Sequence, residues 1–227
     1  MTDIYIIYGS ETKLLKNIYS KKNAFFIRIY NQKKPSYLTN SFDTNSYEIF
    51  CLKFEEIIKL KKTKRIIFIG AAFIFQNALF VSEKFSDIQS MINTNISNYL
   101  KFVHFLIPHM IKLKSGNLIF LSSFITQATT KGVSIYAASK SFCETFFEVL
   151  GKEYGSFGVY SNSIRLGCFN GEMFNILSKE KQKKLLLSIG NRRLGTSRDL
   201  IKAIDFILDS NYSNGGILDL TAGISYD

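Results

Sequence analysis

Two short segments organise the rest of this chain: Asn117-Leu-Ile-Phe-Leu-Ser-Ser-Phe124 and Tyr136-Ala-Ala-Ser-Lys140. The first is an apolar run that ends in hydroxyl residues, which is typical of a buried strand emerging at the edge of a sheet. In the second, Tyr136 and Lys140 are four residues apart, so on a helix both side chains project from one face. The sequence therefore predicts a hydroxyl, a phenol and an ammonium group close to the end of one strand.

Outward from these segments, short apolar runs alternate with amphipathic ones. Strands are predicted at Ile4–Tyr8, Ala24–Tyr30, Tyr47–Leu52, Arg65–Ala71, Asn117–Leu121, Val159–Arg165 and Gly216–Leu220. Helices are predicted at Thr12–Lys21, Phe54–Lys61, Ile88–Lys114, Ala137–Tyr154, Glu180–Leu187 and Ser197–Ser210. This alternation predicts an α/β fold, namely a Rossmann-like, doubly wound parallel sheet of about seven strands flanked by helices. Because no repeat or linker divides the chain, we expect a single domain over residues 1–227.

Composition narrows the class of protein. The 227 residues are 46% hydrophobic and 21% charged, with two prolines, which excludes disordered and low-complexity chains. The formal net charge of +11 is compatible with nucleic acid, an anionic lipid, or an acidic small-molecule or carrier-protein substrate. The alternative is a lysine-rich solvated surface without a partner.

Cysteine and histidine positions predict neither disulfides nor a metal site. Cys51, Cys143 and Cys168 are far apart and form no C-x-x-C pair, which suits a reducing cytoplasm. His104 and His109 lie five residues apart, on different faces of a predicted helix.

The apolar run 66–75 is far shorter than the ~20 residues of a membrane helix. We therefore expect a cytoplasmic protein without membrane association.

A free tyrosine has a pKa of about 10, which makes it a poor acid–base catalyst at neutral pH. A nearby ammonium group such as that of Lys140 lowers the pKa by favouring the phenolate. Ser123 precedes Tyr136 by thirteen residues and offers a hydroxyl that can polarise a carbonyl oxygen. Together these side chains predict proton transfer to or from a substrate oxygen.

At these residues the sequence resembles the classical short-chain dehydrogenase/reductases, whose signature is a serine followed by Tyr-x-x-x-Lys. Further matches follow in the family's order: Met91-Ile-Asn-Thr-Asn95, Ser163-Ile-Arg-Leu-Gly167, Arg193-Leu-Gly-Thr-Ser-Arg-Asp-Leu200 and Asn214-Gly-Gly-Ile-Leu-Asp219. In the second match Leu166 replaces the family's proline. The resemblance covers nearly the whole chain.

The resemblance implies a catalytic set of Asn95, Ser123, Tyr136 and Lys140. Tyr136 would exchange a proton with the substrate oxygen, and Lys140 would lower its pKa and hold the nicotinamide ribose. Ser123 would hydrogen-bond the carbonyl, and Asn95 would anchor a water in a relay to Lys140. Residues 1–115 would mainly bind cofactor, and residues 116–227 would carry catalysis and substrate binding.

The resemblance also implies a set of cofactor contacts. They are Gly9, Ser10, Lys13, Leu15, Tyr30, Asn31, Gly70, Ala71, Ala72, Tyr136, Lys140, Leu166, Gly167 and Phe169. The family's first loop reads Thr-Gly-x-x-x-Gly-x-Gly, whereas here Lys13 and Leu15 replace two glycines. We expect Leu15 to push the helix or the phosphate outward. No Asp follows the third predicted strand, where the family uses one to contact adenine.

The end of the second strand bears on the choice of nucleotide. It carries no Asp or Glu to accept the ribose 2′-hydroxyl, whereas Arg28, Lys33 and Lys34 lie in or just beyond it. This favours NADP(H) over NAD(H), unless these cations only form a solvated turn.

The leading hypothesis is an NAD(P)(H)-dependent oxidoreductase that reduces a carbonyl or oxidises an alcohol. Its substrate would be a small or carrier-attached molecule, and the charge favours an anionic one that is phosphorylated or nucleotide-linked. The family resemblance implies a homodimer or homotetramer. The alternative is a degenerate relative without turnover that acts as a binding or scaffold subunit, because of Lys13 and Leu15. A nucleic-acid-binding protein is motivated by charge alone, and we predict no such partner.

Overall fold

The structure is a computed structural model that describes residues 1–30, 40–128, 130–175, 177–210 and 212–224. The strands are β1 (Thr2–Tyr8), β2 (Ala24–Tyr30), β3 (Ser41–Asp43), β4 (Thr63–Gly70), β5 (Gly116–Ser123), β6 (Val159–Leu166) and β7 (Ile217–Leu220). The α-helices are α1 (Tyr47–Leu60), α2 (Phe85–Ile92), α3 (Asn98–Leu113), α4 (Ser134–Tyr154), α5 (Glu172–Asn175), α6 (Lys179–Ser188) and α7 (Ser197–Asp209). Short 3₁₀ helices cover Lys13–Ser20, Thr44–Ser46, Phe80–Ser82, Phe124–Thr126 and Gly155–Phe157, and a π-helical turn covers Asn93–Ser97.

The seven strands described form one sheet in the order β3-β2-β1-β4-β5-β6-β7, and every pair is parallel. The chain builds outward from β1 to β3 and then returns to β4 on the other side of β1. Parallel sheets bind ligands where the strand order reverses, outside the carboxyl ends of the strands. The predicted Rossmann-like fold is confirmed.

An apolar layer covers each face of the sheet. On one face, Ile4, Ile6 and Tyr8 of β1 belong to a core completed by α1, α3 and α4. On the other, Tyr5 and Ile7 belong to a core completed by the Lys13–Ser20 helix and α7. Because β1 is buried on both faces, it appears in the sequence as a continuous apolar run rather than an alternating one.

One predicted strand is wrong. Tyr47–Leu52 is the beginning of α1, where Phe50 and Phe54 are fully buried four residues apart while Leu52 is 67% exposed. Burial with this spacing is helical, since a strand would bury every second residue. The third strand instead lies earlier, at Ser41–Asp43, and contains only three residues.

Two predicted helices differ in kind from the expectation. The segment predicted as one helix over Ile88–Lys114 is divided into α2, the π-helical turn and α3. The segment after β1 is a 3₁₀ helix, Lys13–Ser20, rather than an α-helix. Among the described residues, no helix is both long and apolar enough to cross a bilayer.

Candidate active site

The carboxyl end of β5 and the first turns of α4 bring three predicted catalytic side chains together. Ser123 ends β5 and caps the short Phe124–Thr126 helix, where its Oγ accepts a hydrogen bond from the Ile125 N–H at 3.4 Å. Its hydroxyl lies beside the Tyr136 phenol and lowers the pKa of that group. Tyr136 and Lys140 lie on one face of α4 and are 6% and 3% exposed. The site is therefore almost dry.

Burial controls the protonation of the phenol. It raises the pKa of Tyr136 to about 12, and the hydrogen bond from Ser123 only partly opposes this rise. Tyr136 is therefore a neutral phenol with a proton to donate at pH 7. The expected lowering of its pKa by Lys140 is not what this structure gives, because loss of solvation on burial is the largest cause and raises the pKa.

Lys140 is held by a carbonyl and by aromatic rings. Its Nζ donates to the backbone oxygen of Leu121 at 2.8 Å and lies 4.7 Å from the ring centre of Phe120 and 5.2 Å from that of Phe73. Burial lowers the pKa of Lys140 to about 8. The side chain is thus cationic below this pH and neutral above it.

Asn95 lies in the π-helical turn, an irregularity that often marks functional sites. Its side-chain amide accepts from the Ile74 N–H at 2.7 Å and donates to the Ile74 carbonyl at 3.0 Å. The same amide donates to Ser139 Oγ on α4 at 3.2 Å. Asn95 is therefore buried beside the site, and its amide ties the segment after β4 to α4.

An aromatic wall beside Tyr136 was not anticipated. Phe73 and Phe75, just after β4, place their ring centres 5.9 and 5.1 Å from that of Tyr136. Ile125 and Val133 complete a small apolar cluster around the phenol. Residues directly after a strand are the signal that could have identified both phenylalanines, since ligand-facing residues of parallel sheets occupy such positions.

The turn after β1 closely approaches the chain after β4. Gly9 has a φ of +87°, and a Cβ at this position would lie 2.3 Å from the backbone nitrogen of Ala72. Only glycine fits here. The adjacent Ser10 is 5% exposed, and its hydroxyl has no hydrogen-bond partner among the described residues. An unsatisfied buried donor beside a glycine turn suits a phosphate oxygen, so these residues fit a nucleotide.

Lys13 and Leu15 occupy different environments. Lys13 is exposed at the first residue of the 3₁₀ helix. Leu15 is fully buried in the second apolar layer, together with Ile18 and with Leu200 of α7. Its side chain therefore packs in the apolar core, and its place among the cofactor contacts stays a prediction.

The other predicted cofactor contacts lie along the same edge of the sheet. Tyr30 ends β2, Gly70 ends β4 with Ala71 and Ala72 following it, and Leu166 ends β6 beside Ser123 in register. Gly167 packs on the Thr221 backbone, and the Phe169 ring lies against Gly195. Asn31, Lys33 and Lys34 fall outside the described residues. The Arg28 guanidinium lies 4.3 Å from the ring centre of Tyr19.

Asp43 is a candidate that the sequence analysis missed. The third strand was predicted at Tyr47–Leu52, which no Asp follows, whereas the observed β3 ends at Asp43. Its Oδ1 accepts from the Asn45 N–H at 2.7 Å and caps the turn into α1. The run Asp43-Thr-Asn-Ser46 before an apolar helical pattern was a signal for a helix start that could have placed it.

Comparison with known proteins gives consistent results. A family model described as short chain dehydrogenase matches residues 28–182. The 3-oxoacyl-[acyl-carrier-protein] reductase FabG of Buchnera aphidicola subsp. Baizongia pistaciae is 30% identical over 160 residues, which is 70% of this chain and 65% of that protein. The 3-oxoacyl-[acyl-carrier-protein] reductase of Bos taurus is 29% identical over 172 residues, 75% of this chain and 70% of that protein.

A solved structure matches almost the complete chain. The structure of ElxO with NADP bound superposes with a TM-score of 0.80 at 19% identity, and the match covers 99% of this chain and 98% of that one. At this identity the likeness concerns the fold. The matched segments span about two thirds of the curated reductases, 65% and 70% of their lengths.

Proposed function

The chain belongs to the short-chain dehydrogenase family, and from that premise we propose that it is a nicotinamide-dependent oxidoreductase that reduces a carbonyl group. The observation that carries the proposal is the buried Tyr136 phenol, which lies beside Ser123 and one helical turn from Lys140. These are the groups that polarise a carbonyl oxygen and deliver a proton to it.

The protonation state of Tyr136 at neutral pH suits the reduction of a carbonyl. Because the phenol keeps its proton at neutral pH, Tyr136 can donate from Oη to the oxygen of a bound carbonyl. Ser123 holds that oxygen by a hydrogen bond. As the phenol becomes a phenolate, the Lys140 ammonium stabilises the new negative charge in a medium of low dielectric constant. Phe73 and Phe75 keep water away from the exchange.

The cofactor would lie along the carboxyl edge of the sheet. Gly9 and Ser10 would face its phosphates, Lys140 and Tyr136 its nicotinamide ribose, and Leu166 its nicotinamide ring. When bound, the reduced nicotinamide supplies the hydride, and the protein supplies position and electrostatics. We assign NADP(H) rather than NAD(H) because β2 ends without a carboxylate and has Arg28 near its end. The NADP bound to the structural neighbour is in keeping with this choice.

For the substrate we favour a 3-oxoacyl group attached to a carrier protein. The curated relatives are named for this activity. A net charge of +11 favours an acidic carrier or an anionic group on the substrate. We further propose a cytoplasmic homodimer or homotetramer, following the family resemblance.

The test follows oxidation of NADPH and of NADH with a 3-oxoacyl thioester, presented on pantetheine and on acyl-carrier protein. We expect turnover with NADPH, a lower kcat/KM with NADH, and a lower KM for the carrier-attached substrate. Tyr136→Phe serves as the matched inactive control. Turnover with neither nucleotide would contradict the proposal and favour the non-catalytic scaffold. Equal KM values for both thioesters would contradict the carrier-attached substrate, but not the proposed carbonyl reduction.

A further inference from the structure

An ionic network centred on a buried arginine–glutamate pair lies next to the catalytic side chains. Arg165 of β6 donates from Nη2 to Glu144 Oε2 at 3.0 Å and from Nε to Glu144 Oε1 at 3.1 Å. Both side chains are 8% exposed. Arg165 also donates from Nη1 to Asp219 Oδ1 of β7 at 2.8 Å and from Nε to Thr126 Oγ1 at 2.9 Å. We name Thr126, Glu144, Arg165 and Asp219 the Arg165 network.

Three of the four members are next to a residue of the candidate active site. Glu144 follows Lys140 by one turn on the buried face of α4, the face that also carries Tyr136. Thr126 lies in the turn after β5, where its hydroxyl is 3.1 Å from the Ser123 carbonyl oxygen and 3.1 Å from Glu144 Oε1. Its single proton is shared between these two acceptors. Arg165 directly precedes Leu166, which pairs in register with Ser123.

We propose that the Arg165 network is a positioning device for the proposed carbonyl reduction, in which Arg165 acts through Glu144 on Lys140 and Tyr136, and through Thr126 on Ser123. The inference rests on the proposed function, since it assigns these residues to the same site. No member is proposed to touch substrate or cofactor.

The chemistry of the network suits this role. The guanidinium is a rigid planar fork that meets a carboxylate with two parallel hydrogen bonds, so it fixes orientation as well as distance. The fork joins α4 to β6, and Thr126 adds the turn that carries Ser123. A displacement of about 1 Å at a reacting group can cost about 10²-fold in rate. A network that holds α4 against the ends of β5 and β6 would therefore affect the rate through the positions of the catalytic side chains.

The chain offers a matched control for an arginine ion pair without this role. Arg65 of β4 donates from Nη2 to Asp3 Oδ2 at 2.9 Å and from Nη1 to the Leu208 carbonyl at 2.8 Å. It joins β4 to β1 and α7, as Arg165 joins β6 to β7 and α4. Both residues of this pair lie near the amino ends of their strands, β4 and β1, away from the candidate active site.

The experiment compares Thr126→Val, which keeps the shape but removes the hydroxyl, with Thr126→Ser, which keeps the hydroxyl. We expect Thr126→Val to lower kcat between about 10- and 100-fold while KM for NADPH and the melting temperature change little. Thr126→Ser should retain kcat close to the wild type. Arg65→Met should lower the melting temperature and leave kcat unchanged. A kcat for Thr126→Val equal to that of Thr126→Ser would overturn the inference.

A second variant tests the ion pair without leaving a buried charge unpaired. Glu144→Met with Arg165→Met replaces both charges by side chains of similar length. The inference expects a folded protein with kcat reduced as in Thr126→Val, whereas unchanged kcat would overturn it. If the wild type itself shows no turnover, the proposed function fails separately. The crystal structure of Thr126→Val then decides, because a displacement of Ser123 from the Tyr136 phenol supports the positioning role and an unchanged placement of the two contradicts it.

Discussion

Two regions along the carboxyl ends of the strands are built differently: the ends of β5 and β6 with α4, which we call the catalytic edge, and the turn after β1, which we call the phosphate edge. At the catalytic edge, side chains form the candidate site: Ser123, Tyr136 and Lys140 meet in a dry site with defined protonation states. At the phosphate edge, the shape of the backbone forms the candidate site: Gly9 touches the Ala72 backbone, and Ser10 offers a buried hydroxyl.

The difference explains why one edge is easy to identify from sequence and the other is not. A catalytic side chain has one residue type, whereas a backbone cradle can be reached by several sequences. Leu15, in place of a family glycine, points into the apolar layer rather than towards a ligand. A changed residue in a loop is thus weak evidence for a lost site until the direction of its side chain is known.

Tyr136→Phe should lower turnover and leave nucleotide binding intact, because it changes only the catalytic edge. Removing the phenolic proton should lower kcat between about 10² and 10⁴-fold, the usual contribution of a positioned acid, while the dissociation constant for NADPH changes little. Steady-state kinetics and nucleotide titration measure the two quantities. Tyr154→Phe, near the end of the same helix, is the control and should keep full activity. Turnover retained in Tyr136→Phe would refute the assigned acid.

Lys140 adds a pH dependence to the catalytic edge. Its pKa lies at about 8, so the ammonium is present below this pH and is lost as the pH rises through it. We therefore expect kcat for reduction to fall above pH 8, and Lys140→Met to lower kcat about 10²-fold and to remove this dependence. Lys152→Met, at the exposed end of α4, should keep the wild-type profile. A profile that persists in Lys140→Met would assign the transition to another group.

At the phosphate edge, Leu15→Ala should affect the fold rather than the ligand. Because Leu15 is fully buried, the cavity left behind should lower the free energy of unfolding by about 2–5 kcal/mol. The affinity of the folded protein for NADPH should not change. Urea denaturation and nucleotide titration test both statements, with exposed Lys16→Ala as the control. A tenfold weaker NADPH affinity in fully folded Leu15→Ala would return Leu15 to the binding site.

Lys13 should give the smallest effect. An exposed charge contributes about 0.2–1 kcal/mol, so Lys13→Ala should weaken NADPH binding by about two- to fivefold. Lys13→Arg keeps the charge and should bind like the wild type, and added salt should reduce the difference between the variants. Identical affinities of Lys13→Ala and the wild type at low salt would exclude Lys13 from phosphate recognition.

Most of the fold was predictable, for reasons that particular elements make clear. Strands buried on both faces, such as β1 and β4, appear as continuous apolar runs and were predicted. Tyr47–Leu52 was mistaken for a strand because a short apolar run has no decisive period, and only the burial of Phe50 and Phe54 settles its helical nature. The three-residue β3 carries too little pattern to identify.

The candidate site was predictable in composition but not in electrostatics. The spacing of Ser123, Tyr136 and Lys140 indicates that they meet, and the structure brings them together. The direction of the Tyr136 pKa shift depends on burial, to which Phe75 and Ile125 contribute from other parts of the chain. Such long-range burial is not contained in local spacing, and neither is the convergence of Thr126, Glu144 and Arg165.

Nucleotide binding by the wild-type protein tests the central claim most directly, because the residues of the catalytic edge can reduce a carbonyl only when a nicotinamide cofactor is bound. NADPH is titrated into the protein while nicotinamide fluorescence is followed, with NADH in a parallel series. The account predicts saturable binding, tighter for NADPH, despite Lys13 and Leu15 in place of glycines. Absence of binding of either nucleotide at millimolar concentration would contradict it.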